Sequence, residues 1–208
     1  MTNIEGFILA GGASSRMGTD KSRLSLGGRT FVERVAQALR PLTARVSVVS
    51  SRPDASSFGL PVVPDIHESK GALGGLHAAL KSCRAGYAAV VSCDLPFVTG
   101  ELLLRLASFL DTEVEAVVPH QSDGRPQPLC ALYAASACLA VAEDLIRTGE
   151  LRPRVLLERV RTRRVAFDQL SDLAGAQLFF TNVNTPDDYA KAREETMNEK
   201  EEPEGRIR

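Results

Sequence analysis

Residues 9–21 read Leu9-Ala10-Gly11-Gly12-Ala13-Ser14-Ser15-Arg16-Met17-Gly18-Thr19-Asp20-Lys21. They follow the apolar run Gly6-Phe7-Ile8-Leu9, which predicts a buried first strand. Glycines let the backbone turn tightly and bring its N–H groups close to a ligand, and the serines add further donors. Arg16 and Lys21 supply positive charge. This composition is typical of a loop that surrounds a polyphosphate, although a glycine-rich strand-to-helix turn can have it without any ligand.

Two familiar phosphate-binding patterns do not fit this loop. The dinucleotide pattern G-x-G-x-x-G is absent, because the two glycines here are adjacent and the next glycine is Gly18. The P-loop pattern requires glycine directly before lysine, and here Thr19 and Asp20 stand between Gly18 and Lys21. If the loop binds phosphate, it does so as a different kind of motif.

Short apolar runs alternate with helical patterns along the rest of the chain. Further strands are predicted at 46–49, 62–63, 87–93, 116–119, 129–134 and 165–167, with helices beginning near Thr30, Leu76, Thr99, Ser136 and Thr185. This alternation predicts an α/β fold, a single doubly wound and mainly parallel sheet flanked by helices. We expect the domain to span 1–195 and residues 196–208, which are rich in Glu, Lys and Pro, to form a charged, disordered tail.

Composition narrows the class of protein. Among 208 residues, 25 Lys and Arg nearly balance 26 Asp and Glu, so no basic field favours nucleic acid as a partner. No apolar stretch approaches the roughly 18 residues of a membrane span, and the first residues have no signal-peptide pattern. The four cysteines form no C-x-x-C pair, so we expect reduced thiols and a cytoplasmic protein. The three histidines are too dispersed to indicate zinc.

Three polar residues follow predicted strands. Asp65 ends the strand at 62–63, Asp94 follows the strand at 87–93, and Asn182 follows an apolar segment near the last helix. Because parallel strands end at one edge of the sheet, we expect these residues to gather there with the loop at 10–21. For Asp94 the plain alternative is a turn shared with Pro96.

The pattern L-A-G-G-x-S-x-R-M-G-x-D-K, filled at every fixed position by residues 9–21, resembles the signature of the molybdenum cofactor guanylyltransferases. That resemblance implies a Rossmann-like nucleotidyltransferase fold. Related sugar nucleotidyltransferases and isoprenoid cytidylyltransferases usually have proline before the lysine, where Asp20 stands here. Sister enzymes that attach cytidine to molybdopterin tend to read L-A-A-G, so Gly12 favours guanosine.

The resemblance also implies roles for individual residues. Arg16, Lys21 and Asp94 would be catalytic, with Asp94, in a C-D-x-P motif, holding Mg²⁺ against the phosphates. The segment Gly71–Gly75 resembles a G-P-L-x-G motif that lines the base pocket, with Ala72 in place of the proline. The full nucleotide-binding set is Leu9, Ala10, Gly11, Gly12, Ser14, Ser15, Lys21, Asp65, Leu73, Gly74 and Asp94.

A second set of residues would face the acceptor. Arg125 lies in a G-R-P-Q-P-L stretch, Arg154 follows Gly149-Glu150, and Asn182 and Asn184 belong to an N-x-N-T-P motif. As plain alternatives, the first stretch is a turn and the arginines at 152–164 form a solvated helix face. Thr185 and Pro186 have a sufficient reason in capping the last helix.

The implied reaction transfers GMP from GTP to the terminal phosphate of molybdenum-bound or metal-free molybdopterin, giving the guanine dinucleotide cofactor and pyrophosphate. The attacking phosphate is already ionised, so no general base is needed. We expect transient contacts with molybdopterin-supplying proteins and acceptor apo-enzymes. We expect no binding to nucleic acid or to a membrane. Two alternatives remain open. One is CTP-dependent or other small-molecule nucleotidyl transfer, and the other is a nucleotide- or cofactor-binding chaperone without chemistry.

Overall fold

The computed structural model describes residues 3–11, 21–67 and 70–201. Within them the strands are β1 (Ile4–Leu9), β2 (Ser25–Leu26), β3 (Arg29–Thr30), β4 (Val46–Val49), β5 (Val62–Val63), β6 (Tyr87–Ser92), β7 (Ala116–Pro119), β8 (Cys130–Ala134) and β9 (Thr162–Val165). The α-helices are α1 (Phe31–Leu39), α2 (Gly71–Ser82), α3 (Gly100–Ala107), α4 (Ala135–Thr148), α5 (Pro153–Arg159) and α6 (Pro186–Glu201). None of the described helices combines the length and the apolar character needed to cross a membrane.

Seven of these strands form one sheet in the order β5-β4-β1-β6-β8-β7-β9, and β2 pairs with β3 as a separate hairpin. All neighbours in the large sheet are parallel except β8, which is antiparallel to both β6 and β7. The chain moves outward from β1 through β4 to β5 and then crosses to β6 on the other side of β1. The carboxyl ends of β1 and β6 therefore flank the topological switch point, where doubly wound sheets bind ligands.

The core consists of two layers on opposite faces of the sheet. Ile8 and Val91 belong to one cluster with residues of α1 and α3, whereas Phe7 and Val90 belong to the other with residues of α2, α4 and α5. Neighbouring strand residues alternate between the layers because successive side chains point to opposite faces of a strand. The predicted doubly wound, mainly parallel α/β fold is confirmed.

Helix starts follow the predicted capping residues. The Thr30 hydroxyl accepts a hydrogen bond from the Glu33 N–H, and Glu33 accepts one from the Thr30 N–H, which closes a capping box on α1. Thr99 caps α3. At α6, Thr185 accepts a hydrogen bond from the Asp188 N–H, and Asp188 accepts those of Asn184 and Thr185. These predicted caps are confirmed.

Two element boundaries differ from those predicted. The glycines at 71–75 were expected before the helix, yet they form the first turns of α2. The last strand is Thr162–Val165 rather than 165–167, because β9 is an edge strand with Arg163 and Arg164 exposed and only Val165 buried. Helix α6 continues to Glu201, and the hydroxyl of buried Thr196 donates to the Ala192 carbonyl. Residues 202–208 of the predicted tail lie outside the described residues.

Candidate active site

The turn after β6 places Asp94 at the switch point. The Cys93 N–H donates to the Leu9 carbonyl (3.0 Å), so the turn begins directly beside the end of β1. The Val183 N–H donates to the Asp94 carbonyl (3.0 Å) and ties the segment before α6 to the same place. Oδ1 of Asp94 is buried and accepts no hydrogen bond from the described residues. A buried carboxylate oxygen without a donor is unusual and indicates a site for a cation or a ligand donor.

The loop after β1 enters the site from the neighbouring strand. The Ala10 N–H donates to the Val49 carbonyl (3.0 Å), which continues the pairing of β1 with β4 by one residue. Gly11 follows and is exposed. Beyond it, the predicted residues Gly12, Ser14, Ser15 and Arg16, together with the side chain of Lys21, lie outside the part of the chain that the structure describes.

Asp65 lies close to this loop. Only 8% of the residue is exposed, and its Oδ1 accepts the His67 N–H (2.9 Å). Its Oδ2 lies 3.9 Å from the position that a Cβ would occupy at Gly11, and 3.9 Å from the corresponding position at Gly75. The Asp65 carboxylate thus sits between the glycine loop after β1 and the first turns of α2.

Gly74, in the first turns of helix α2, is required at this edge for a steric reason. A Cβ at Gly74 would lie only 2.5 Å from the His67 carbonyl oxygen, so the loop after β5 packs directly onto the helix. Leu73, the other predicted residue here, is fully buried in the core. The side chain of Lys70, which directly precedes α2, makes no capping hydrogen bond to the helix. The first N–H groups of a helix have no partner within it and can bind an anion.

The predicted acceptor residues divide into two groups. Asn182 and Asn184 flank Val183, whose N–H is bonded to Asp94, so both lie beside the turn after β6. Arg125 is mostly exposed and forms an ion pair with Asp123 (2.6 Å). Hydrogen bonds from the backbone and side chain of Arg125 lower the pKa of the Asp123 carboxyl.

Arg154 is exposed in the first turn of α5. In the described part of the chain, neither Arg125 nor Arg154 has a hydrogen bond or ion pair to Asp65, Asp94 or the two asparagines. The structure therefore brings Leu9–Gly11, Asp65, Gly74, Asp94 and the asparagines together, and it does not join the two arginines to them by direct contact.

His67 and Arg34 were not predicted as site residues. The His67 N–H orients Asp65, and Arg34 on α1 donates from Nε to the Pro96 carbonyl (2.8 Å), two residues after Asp94. His67 could have been identified from the sequence, because it stands two residues after Asp65. Nothing in the sequence connects Arg34 to residue 96, because the two are brought together only by the fold.

None of the four cysteines, all of which lie in the described residues, forms a disulfide. Burial raises the pKa of Cys130 and of Cys138 to about 12, and that of Cys83 to about 11. These thiols stay protonated at neutral pH, and a protonated thiol is a poor nucleophile.

Residues 6–165 match the family model described as the MobA-like NTP transferase domain. The chain belongs to this family. A probable molybdenum cofactor guanylyltransferase of Pelotomaculum thermopropionicum is 36% identical over 196 residues, which cover 93% of each chain. The molybdenum cofactor guanylyltransferase of Rhizobium meliloti is 38% identical over 197 residues, covering 89% of this chain and 88% of that one.

A solved structure supports the same assignment. Molybdopterin-guanine dinucleotide biosynthesis protein A of Archaeoglobus fulgidus superposes with a TM-score of 0.79 at 29% identity, covering 93% of this chain and 99% of that one. The predicted family is confirmed, and the chain is a nucleotidyltransferase.

Proposed function

We propose that this chain transfers GMP from GTP to the terminal phosphate of molybdopterin and releases pyrophosphate. The observation that carries the proposal is the buried, unpartnered Oδ1 of Asp94 at the switch point, beside a loop with the full guanylyltransferase signature. The names of the relatives and their coverage of both chains support GTP and molybdopterin as the substrates. The four cysteines form no disulfide, which agrees with a reducing compartment, so we place the reaction in the cytoplasm.

The chemistry is a substitution at the α-phosphorus of GTP. An oxygen of the pterin phosphate forms a bond to that phosphorus while the bond to the bridging oxygen of the β-phosphate breaks, and pyrophosphate leaves with the electron pair. The attacking oxygen is already ionised at neutral pH, so no side chain has to remove a proton. What the protein must supply is alignment of two anions and stabilisation of the charge on the leaving group.

Asp94 fits a magnesium ion. Mg²⁺ in phosphate sites binds one or two carboxylates and completes its shell with water and substrate phosphates, and Oδ1 offers a carboxylate oxygen with no donor from the described residues. When bound, the ion would offset charge on the phosphate oxygens. Asp94 is held for this role by the bond from the Val183 N–H to its carbonyl and by the Cys93–Leu9 bond at the start of the turn.

We assign the nucleotide to the edge between β1 and α2, and the acceptor to the side of Asp94 that faces Asn182 and Asn184. Leu9–Gly12, Ser14, Ser15 and Lys21 would surround the phosphates, with Arg16 and Lys21 stabilising the leaving group. Asp65, Leu73 and Gly74 would contact the nucleoside. Arg125 and Arg154 would receive the pterin phosphate, which for Arg125 means exchanging its exposed partner Asp123. The product must then pass to acceptor apo-enzymes through transient contacts.

The test is pyrophosphate release from GTP, CTP or ATP mixed with molybdopterin and Mg²⁺. We expect release with GTP, and its loss in Lys21→Ala and Asp94→Asn. The matched control is Asp168→Asn, which removes an exposed carboxylate outside the site and should leave activity unchanged. Preference for CTP would identify a cytidylyltransferase, and binding without release would identify a chaperone. Full activity of Asp94→Asn would refute the site.

A further inference from the structure

His77 is a buried titratable residue that the proposed reaction does not use. It lies in α2 with 2% of its surface exposed, and its Nδ1 is buried without a hydrogen-bond partner among the described residues. Its other ring nitrogen, Nε2, is 3.7 Å from Glu143 of α4. Burying a polar atom without a partner lowers stability, so an apolar ring would suit this position better if packing were its only role.

The ring of His77 packs against His67. The two ring centroids are 4.8 Å apart in an edge-to-face arrangement. His67 is in turn held by two backbone hydrogen bonds, because its N–H donates to Oδ1 of Asp65 and its carbonyl accepts the Lys70 N–H (2.7 Å). The same carbonyl oxygen would lie 2.5 Å from a Cβ at Gly74, so the loop approaches α2 closely there. His77 therefore supports the residue that orients Asp65.

The surroundings of His77 disfavour its charged form. Burial lowers the pKa of its imidazole, and His67 from the loop after β5 and Lys81 from the same helix lower it further, while Glu143 on α4 acts in the opposite direction. The ring is consequently neutral at neutral pH. A second ring proton would lie on a buried nitrogen that has no acceptor in the described structure, and would place a charge beside His67.

We propose that the neutral ring of His77 is a positioning element for nucleotide binding. It holds His67, and through it Asp65, close to the glycines of α2, and it releases them when the ring takes up a proton as the pH falls below neutral. This inference rests on the proposed role of Asp65 in binding the nucleotide. It adds a pH-sensitive residue that supports Asp65 indirectly, from the side of α2 that faces α4.

The experiment measures the dissociation constant of GTP with Mg²⁺ at pH 7.5 and pH 5.5, for the parent protein and three variants. His77→Phe keeps a ring against His67 and cannot be protonated. It should bind within about twofold of the parent at pH 7.5 and lose less affinity at pH 5.5. His77→Ala removes the ring and should bind about tenfold more weakly at pH 7.5, with kcat at saturating GTP retained, since only the support for Asp65 is lost.

His120→Phe is the matched control. His120 also has a buried ring nitrogen without a described partner, and burial followed by Arg164 lowers its pKa, but it lies on the loop after β7, away from Asp65. Its substitution should leave the pH dependence of GTP binding as in the parent. The phosphate of the nucleotide titrates in the same way in every measurement, so its contribution to the pH dependence cancels when variants are compared. Should His77→Phe fold poorly, His77→Gln, equally unable to take up a proton, should show the same reduced loss.

Equal pH dependence in the parent and His77→Phe would overturn this inference while leaving the proposed function intact. An equal reduction of that dependence by His120→Phe would overturn it as well. No GTP binding by the parent protein at pH 7.5 would instead contradict the proposed function and this inference with it.

Discussion

Two neighbouring glycines of α2 should respond in opposite ways to alanine. A Cβ at Gly74 would lie 2.5 Å from the His67 carbonyl oxygen, and the obstruction is backbone that also accepts the Lys70 N–H. At Gly75 the nearest atoms are the Leu9 methyls at 3.6 Å, an ordinary contact. Both substitutions add the same methyl group to the same helix, so the pair separates the clash from every effect that they share.

The expected magnitudes follow from that geometry. To reach an ordinary contact, the His67 carbonyl must retreat from Gly74→Ala by about 0.5 to 0.9 Å, and overpacking of this kind costs about 1–3 kcal/mol. Replacing glycine by alanine inside a helix stabilises it by up to about 1 kcal/mol, a gain available to both variants. Gly75→Ala should therefore match or exceed the parent in stability. Gly74→Ala should be about 1–3 kcal/mol less stable than Gly75→Ala.

The retreat of His67 should also move Asp65, because the His67 N–H is bonded to the Asp65 carboxylate. We expect Gly74→Ala to raise the KM for GTP about 10- to 100-fold, as displacements near 1 Å do in active sites, and Gly75→Ala to change it much less. Urea unfolding gives the stabilities, and initial rates of pyrophosphate release give KM. Equal unfolding free energies, or equal KM values, for the two variants would refute the close approach of loop and helix.

Three further predictions concern the supports of the site. Thr30→Ala removes the cap of α1 and should lower the unfolding free energy by about 1 kcal/mol in urea; an unchanged midpoint would contradict the capping box. Arg34→Lys cannot keep the Nε bond to the Pro96 carbonyl and should lower kcat about tenfold while the circular dichroism spectrum stays the same; an unaltered kcat would exclude a positioning role. The Asn184 N–H lowers the pKa of Asp188 below its unfolded value, so this carboxylate stabilises the fold above that value and the contribution is lost as pH falls through the folded pKa. Thermal unfolding between pH 5 and pH 3 should show a shallower loss in Asp188→Asn than in the parent, and equal slopes would count against the α6 cap.

The sequence was sufficient for features encoded locally. The apolar run 87–93 and the motif that ends it predicted both β6 and the position of Asp94 at the edge of the sheet, because a buried parallel strand must end where its neighbours end. The capping residues Thr30, Thr99 and Thr185 likewise fixed three helix starts, since a side chain that bonds to the backbone three residues ahead acts within a single turn.

Features that depend on distant contacts were not predictable in the same way. Strand β9 carries two exposed arginines, so its apolar pattern is too weak to identify it, and it forms because β7 offers a free edge. The ion pair of Arg125 with Asp123 offsets the positive charge that Arg125 could offer to an acceptor, and this pairing was not predicted from the sequence. The bond of His67 to Asp65 is local, but the contact of His77 with His67 requires a loop and a helix to meet, and no spacing in the chain indicates that contact.

The near balance of positive and negative residues explains why the proposed site depends on several short-range interactions at this edge of the sheet. The chain has a formal net charge of −1, so its overall electrostatic field does not attract a triphosphate. The carboxylates of Asp65 and Asp94 at the edge of the sheet would repel a triphosphate. In the proposed reaction, attraction would then come from short-range interactions with the first N–H groups of α2, with the glycine loop after β1, with Arg16 and Lys21, and with an ion on Asp94. Such short-range interactions act only if their geometry is maintained. Arg34 maintains this geometry through its bond to the Pro96 carbonyl, and His67 does so through its bond to Asp65. For that reason these supporting residues matter as much to the proposed reaction as those that would touch the nucleotide.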